Sequence, residues 1–150
     1  MSPTAANASE GQQAASRAAK LGIKPGNLVQ SLNEDDDIAS ELLDDIVAIS
    51  GNDLVLEDSD DVVDVVLLWF RDDDGDLVDA LVDARRQLSD DGMLWLLTPK
   101  AGRDGHVEPS DILEAVPTAG LVQTSTVTAG LEWTAMRLAA PKGGANRRQR

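Results

Sequence analysis

The sequence predicts a small three-layer α/β domain whose mostly parallel sheet ends in an antiparallel hairpin. Three observations carry this. Val62 to Phe70 is nearly continuous in apolar residues, broken only by Asp64, as a strand buried on both faces requires. A helix-period segment and a second apolar run, Met93 to Thr98, follow it, and strand–helix–strand order belongs to parallel sheets with right-handed crossovers. Late in the chain, β-branched Leu121 to Thr128 and alternating Trp133 to Ala139 flank Ala129-Gly130, the pattern of an antiparallel hairpin at a sheet edge.

Residues 1–19 are rich in Ala, Ser, Gln and Asn without apolar periodicity, so a disordered arm is expected there. The Asn7-Ala8-Ser9 sequon carries no meaning without secretion. The folded body is expected to be a Rossmann-like domain over residues 20–141, with residues 142–150 as a basic disordered tail. Lys24-Pro25-Gly26 is a turn, because Pro fixes one dihedral and Gly relaxes the next. Asn27 to Leu32 reads as the first strand. Asn33 is placed to cap a helix, with Glu34, Asp35, Asp36 and Asp37 in its first turn, where acids suit the dipole. Ile38, Leu42, Ile46 and Ile49 form one face of that helix, and Gly51 ends it.

Asp53 to Glu57 reads as a short second strand. After the central strand, Asp72-Asp73-Asp74-Gly75 is a loop and Asp76 the next N-cap. Leu77, Leu81, Ala84 and Leu88 give a helix face. Asp90-Asp91-Gly92 is expected to turn the chain into the strand from Met93. Ser110 is placed to cap a third helix, which Pro117 is expected to break.

The chain has 150 residues, 42% hydrophobic, no cysteine and a formal net charge of −14. Disulfides, thiol catalysis and iron–sulfur clusters are therefore excluded. The longest apolar run, Val65 to Phe70, is too short to cross a membrane, and the absence of a basic-then-apolar start points to the cytoplasm. Residues 34–91 hold 21 of the 27 acids and only the bases Arg71, Arg85 and Arg86. Such a body repels a phosphate backbone, so the folded domain is not expected to bind nucleic acid or an anionic membrane. The tail cations Lys142, Arg147, Arg148 and Arg150 lack an aromatic stacking partner. The acidic segment either docks a basic partner protein or serves solubility.

Val63 to Phe70, the following helix, and Asp91-Gly92-Met93-Leu94-Trp95-Leu96-Leu97-Thr98-Pro99-Lys100 together resemble two central strands of class I methyltransferases. The ending, Ala119-Gly120-Leu121 and then Glu132-Trp133-Thr134-Ala135-Met136-Arg137-Leu138, is similar to their terminal hairpin. From Lys20-Leu21-Gly22-Ile23-Lys24-Pro25-Gly26 to Pro141 the chain resembles a short bacterial family of unknown function, in its acidic actinobacterial branch. That resemblance implies a Rossmann-like fold and no assigned chemistry.

Methyltransferases of this class hold S-adenosylmethionine with a glycine-rich turn after the first strand. Here that turn is Leu32-Asn33-Glu34-Asp35-Asp36-Asp37, without glycine and with four consecutive acids. Pyrophosphate cofactors would be repelled there, and no cofactor is expected. Cationic S-adenosylmethionine is opposed by the missing glycines rather than by charge.

Ligands of open α/β sheets bind at the carboxyl ends of the strands. Arg71, Lys100, Arg103 and His106 fall there and form a candidate crevice for a small anion or a partner carboxylate. His106 is the only histidine and lacks a nucleophile elbow to serve. Asp72-Asp73-Asp74-Gly75-Asp76 fails the EF-hand spacing, so no metal site is expected. Gly102-Arg103-Asp104-Gly105 has the spacing of a KH clamp but the wrong element order. Trp69, Trp95 and Trp133 are read as packing residues. The function expected is therefore a non-catalytic binding or regulatory module, acting through its acidic face or the Arg71–His106 crevice. The alternative is a degenerate or unusual S-adenosylmethionine-dependent enzyme. Pairing of the hairpin edge with a second copy is left undecided by the sequence.

Overall fold

The strand β2 (Val63–Trp69) organises the domain. Its side chains alternate between two separate cores. Val63, Val66 and Leu68 face one, and Val65, Leu67 and Trp69 face the other. In the computed structural model, residues 21–34, 38, 40–56, 59, 61–128 and 133–140 are described. The expected N-terminal arm and basic tail, the acids Asp35 to Asp37, and the Ala129-Gly130 turn lie outside the described residues.

β1 (Val29–Leu32) pairs parallel with β2, and β2 pairs parallel with β3 (Leu88–Pro99). β5 (Trp133–Ala139) is antiparallel to β3, and β4 (Val122–Thr128) is antiparallel to β5. The order across the sheet is β1-β2-β3-β5-β4. The sheet is therefore mixed: its parallel half is β1 to β3, and the closing hairpin supplies the antiparallel half.

Helix α1 (Ser40–Ser50) covers one face with Leu42, Leu43 and Ile46. Leu21 and Ile23 join that core, where the Trp95 indole Nε1–H donates to the Leu21 carbonyl at 2.8 Å. Helices α2 (Leu77–Ala84) and α3 (Pro109–Thr118) cover the other face through Leu77, Leu81, Ile112 and Val116. Three layers result, because each face of the sheet buries its own apolar set.

Several expected boundaries move. Asn33 does not cap α1, which begins at Ser40. It instead adopts a left-handed φ of 64° directly after β1, a conformation Asn tolerates better than most residues. The expected strand Asp53–Glu57 reduces to one parallel bridge, Gln30 to Val55. Leu88 belongs to β3 rather than to the α2 face, and pairs with Val63. Asp90-Asp91-Gly92 is not a turn between elements but part of a bulge inside β3, where the register shifts between Val63 and Val65. The cap of α3 is Glu108, not Ser110, with Pro109 opening the helix. Pro117 sits inside the last turn of α3 without breaking it. There its missing N–H costs one bond near an end that is already fraying. Asp76 caps α2 as expected, its carboxylate accepting from the Val78 N–H at 2.9 Å.

Gly92 is what lets the bulge close. A β-carbon there would lie 2.6 Å from a Leu88 methyl and 2.9 Å from the Asp64 carbonyl oxygen. Gly92→Ala is expected to destabilise the domain by about 1–3 kcal/mol through overpacking. Urea denaturation measures this, and unchanged stability would mean that the bulge does not approach Asp64 so closely.

Candidate functional site

Three loops meet at the carboxyl ends of the parallel strands: residues 33–34 after β1, 70–76 after β2 and 100–108 after β3. Asp74 is the hub of the first two. One of its carboxylate oxygens accepts from the Arg71 backbone N–H at 2.8 Å, the Arg71 guanidinium at 3.2 Å and the Asn33 amide at 3.0 Å. The same Asn33 amide donates to the Trp69 carbonyl at 2.8 Å. The left-handed backbone at Asn33 turns the side chain from β1 across to the end of β2. This clasp occupies the place where the methyltransferase likeness would require an open, glycine-rich turn.

Arg71 is buried and multiply held. Beyond Asp74, its guanidinium donates to the Asn33 carbonyl at 3.3 Å and lies 5.2 Å from the Trp133 ring centroid, within cation–π range. Trp133 packs edge-on against Trp69, with centroids 4.9 Å apart. The Trp69 indole in turn donates to Ser31 Oγ at 2.9 Å. All three tryptophans are buried in the α1-side core, as the packing reading expects.

The third loop docks onto the second. The Asp72 N–H donates to the Gly105 carbonyl at 2.9 Å. Gly105 has a φ of +85° and its α-carbon abuts Arg71, so a β-carbon would fall 3.1 Å from Arg71 Cβ. His106 donates from Nδ1 to the Pro99 carbonyl at 2.9 Å, the only role a ring nitrogen can take toward a carbonyl. Lys100 is half-buried and Arg103 exposed. The structure thus places all four sequence-derived site residues at one end of the sheet. Arg71 and His106 are engaged in holding the loops, and Lys100 and Arg103 lie on the outer side. The acidic loop is also in structural use, since Asp74 clasps and Asp76 caps.

A recess of about 420 Å³ lined by Phe70, Asp72, Asp76, Val107 and Asp111 among others opens at this end, and two more border β1. A cavity of about 560 Å³ lies between β1, β2 and α2, lined by Gln30, Leu32, Asn33, Phe70, Asp83 and Gln87 among others. A smaller one of about 340 Å³ lies between β1 and the bridged segment, lined by Ser31, Glu34, Leu54, Val55 and Leu56. None was legible in the sequence. The Asn33–Asp74 clasp also escaped it, although an Asn directly after a strand is a left-handed turn candidate.

Residues 18–142 match the family model described as "Protein of unknown function (DUF3052)". The chain belongs to the DUF3052 family. It is 49% identical over 135 residues to the uncharacterized protein Rv2239c of Mycobacterium tuberculosis, covering 90% of this chain and 85% of that one. An uncharacterized protein of Mycobacterium bovis matches to the same extent. Among solved structures, the chain is similar in fold to magnesium protoporphyrin IX methyltransferase of Synechocystis. The TM-score is 0.55 at 13% identity, covering 88% of this chain and 80% of that one. It is likewise similar to the CcbJ methyltransferase of Streptomyces caelestis, with a TM-score of 0.51 at 10% identity over 88% and 95% of the two chains. At such identities the likeness concerns the fold alone. The expected family and its Rossmann-like, methyltransferase-like fold are both found. No helix among the described residues is long and apolar enough to cross a membrane.

The clasp gives a sharp contrast between neighbouring acids. Asp74→Ala removes the acceptor for three donors, one of them the buried Arg71 guanidinium. The expected cost is about 2–4 kcal/mol. Asp73→Ala, on the exposed tip, is expected to stay within about 0.5 kcal/mol of the parent. Equal effects in a denaturant series would show that Asp74 does not hold the loops together.

Proposed function

We propose that this DUF3052 protein is a non-catalytic binding module of the cytoplasm, and that its acidic carboxyl-end rim engages a basic partner protein. The observation that carries the reading is the clasp itself. Asn33, Arg71 and Asp74 join the loops where a methyltransferase-like fold would need an opening, while Glu34, Asp72, Asp73 and Asp76 remain exposed around them. Asp76, as the cap of α2, also favours that helix through its dipole, so the rim serves stability and leaves its outer carboxylates available for a cation. The contacts of Arg71 favour this rim over the anion crevice with Lys100, Arg103 and His106, because its guanidinium already has a carboxylate, a carbonyl and an aromatic ring.

A charge-driven complex weakens as ionic strength rises. A partner captured on the immobilised protein at low salt is expected to elute as salt is raised, and to be lost from an Asp72→Lys/Asp73→Lys variant. Retention by that variant would sink the acidic-rim reading.

Methyl transfer with S-adenosylmethionine is the second reading. The recess beside Ser31 and Glu34, together with the fold, favours it; the glycine-free, clasped turn opposes it. A ligand present at a hundredfold excess over its dissociation constant stabilises by about 2.7 kcal/mol. For a chain of this size each kcal/mol is about 2–4 °C in melting temperature. No shift with S-adenosylmethionine or S-adenosylhomocysteine is expected. A shift of several degrees with both would replace the binding-module reading by the enzyme.

A further inference from the structure

We propose that the recess between β1, β2 and α2 binds a linear aliphatic diamine, with one ammonium at Gln30 and the other at Asp74. Its volume of about 560 Å³ falls in the range of small-molecule sites, roughly 300–1,000 Å³. Leu32, Leu68 and Phe70 give it an apolar lining. The site is separate from the exposed rim of Asp72, Asp73 and Asp76 and does not depend on it.

Hydrogen bonds around the recess use up the amide donors and leave acceptors over. A side-chain amide carries two N–H donors. Those of Gln30 go to the Leu56 carbonyl at 2.9 Å and to Gln87 Oε1 at 3.2 Å. Those of Gln87 go to the carbonyls of Ser59 and Asp61. Those of Asn33 go to the Trp69 carbonyl and to Asp74. The carbonyl partners also fix which end of each amide is nitrogen. Gln30 lines the recess and is 1% exposed, and its Oε1 meets no donor among the described residues. Buried polar atoms without a partner are few in native proteins. Asp74 takes its three bonds on Oδ2, and its Oδ1 likewise meets no donor among the described residues.

A ligand here must therefore bring donors and few acceptors. Sugars, nucleobases, carboxylates and phosphates bring acceptors that these amides cannot satisfy. An alkylammonium brings three donors and no acceptor, and its methylenes suit the apolar lining. Gln30 and Asn33, which holds Asp74, are three positions apart in the chain, about 10 Å at about 3.3 Å per residue. Two acceptors so separated call for an ammonium at each end of a short aliphatic chain. Arg71 matches the charge of Asp74, so Asp74 offers the ligand a hydrogen-bond acceptor, and the wider field draws the dication. Ser59, on the lining, stands in the sequence Glu57-Asp58-Ser59-Asp60-Asp61, and Asp83 borders the recess. Arg86, also on the lining, has its side chain 76% exposed and lies 4.0 Å from Asp83.

Isothermal titration of the full chain with cadaverine, a five-carbon diamine, tests the site at about 0.15 M salt. One molecule is expected to bind per chain, with n-pentylamine at least about tenfold weaker. Gln30→Leu is expected to weaken cadaverine binding about tenfold. Asp83→Lys, at the exposed side of the recess, is expected to weaken it as well. Asp44→Lys makes the same charge change on the exposed side of α1, across the sheet, and is expected to leave the affinity unchanged. Should Gln30→Leu fail to fold, the two lysine variants decide. No binding by the parent, equal affinity for n-pentylamine, a folded Gln30→Leu variant that binds as tightly as the parent, or equal losses from the two lysine variants would overturn the proposal.

Discussion

Burial of β2 on both faces is the constraint on which the rest of the domain depends. A strand that is apolar on one side needs one covering layer; Val63 to Trp69 is apolar on both and needs two. α1 and the Leu21–Ile23 segment cover one side, and α2 and α3 cover the other. The two cores meet only through the sheet, so each element is fixed by the face of β2 that it serves. The indole bonds of Trp69 to Ser31 and of Trp95 to the Leu21 carbonyl satisfy the polar atoms that this burial would otherwise strand.

The carboxyl end of the sheet shows how a fold shared with methyltransferases takes on a different character. Asn33, rather than glycine, supplies the left-handed turn after β1, and it brings an amide that glycine lacks. That amide reaches the Trp69 carbonyl and Asp74, and Asp74 in turn holds Arg71 against Trp133. One carboxylate oxygen thereby organises two loops, and the Asp72–Gly105 bond ties in the third. The same group cannot both hold this assembly and receive a ligand's charge, which is why the outer acids, and not the inner cations, are read as the contact surface.

Charge is partitioned across the sheet. The acidic residues gather around β1, β2 and their helices, and the hairpin edge is neutral. A chain this acidic gains solubility from self-repulsion, and the neutral edge is where that repulsion is weakest.

The sequence by itself determined the layers. The apolar run of β2, broken only by Asp64, the spacing of Leu77, Leu81 and Ala84, the Asp76 cap and the alternation from Trp133 to Ala139 are local signals, and each element formed where its signal lay. The family likeness was legible too, in the Leu21 to Gly26 opening and the two tryptophan-bearing strands. Tertiary structure decided what depends on partners distant in the chain. Leu88 joined a strand because Val63 was there to pair with it, and Asp90 to Gly92 became a bulge because the β2 ladder continued past them. Asn33 is not a cap because the helix begins only at Ser40, and its amide instead donates to the Trp69 carbonyl and Asp74, far along the chain. Periodicity reports which face of an element is buried. It does not report which side chains meet at the ends of the strands, because those contacts join residues with no fixed spacing in sequence.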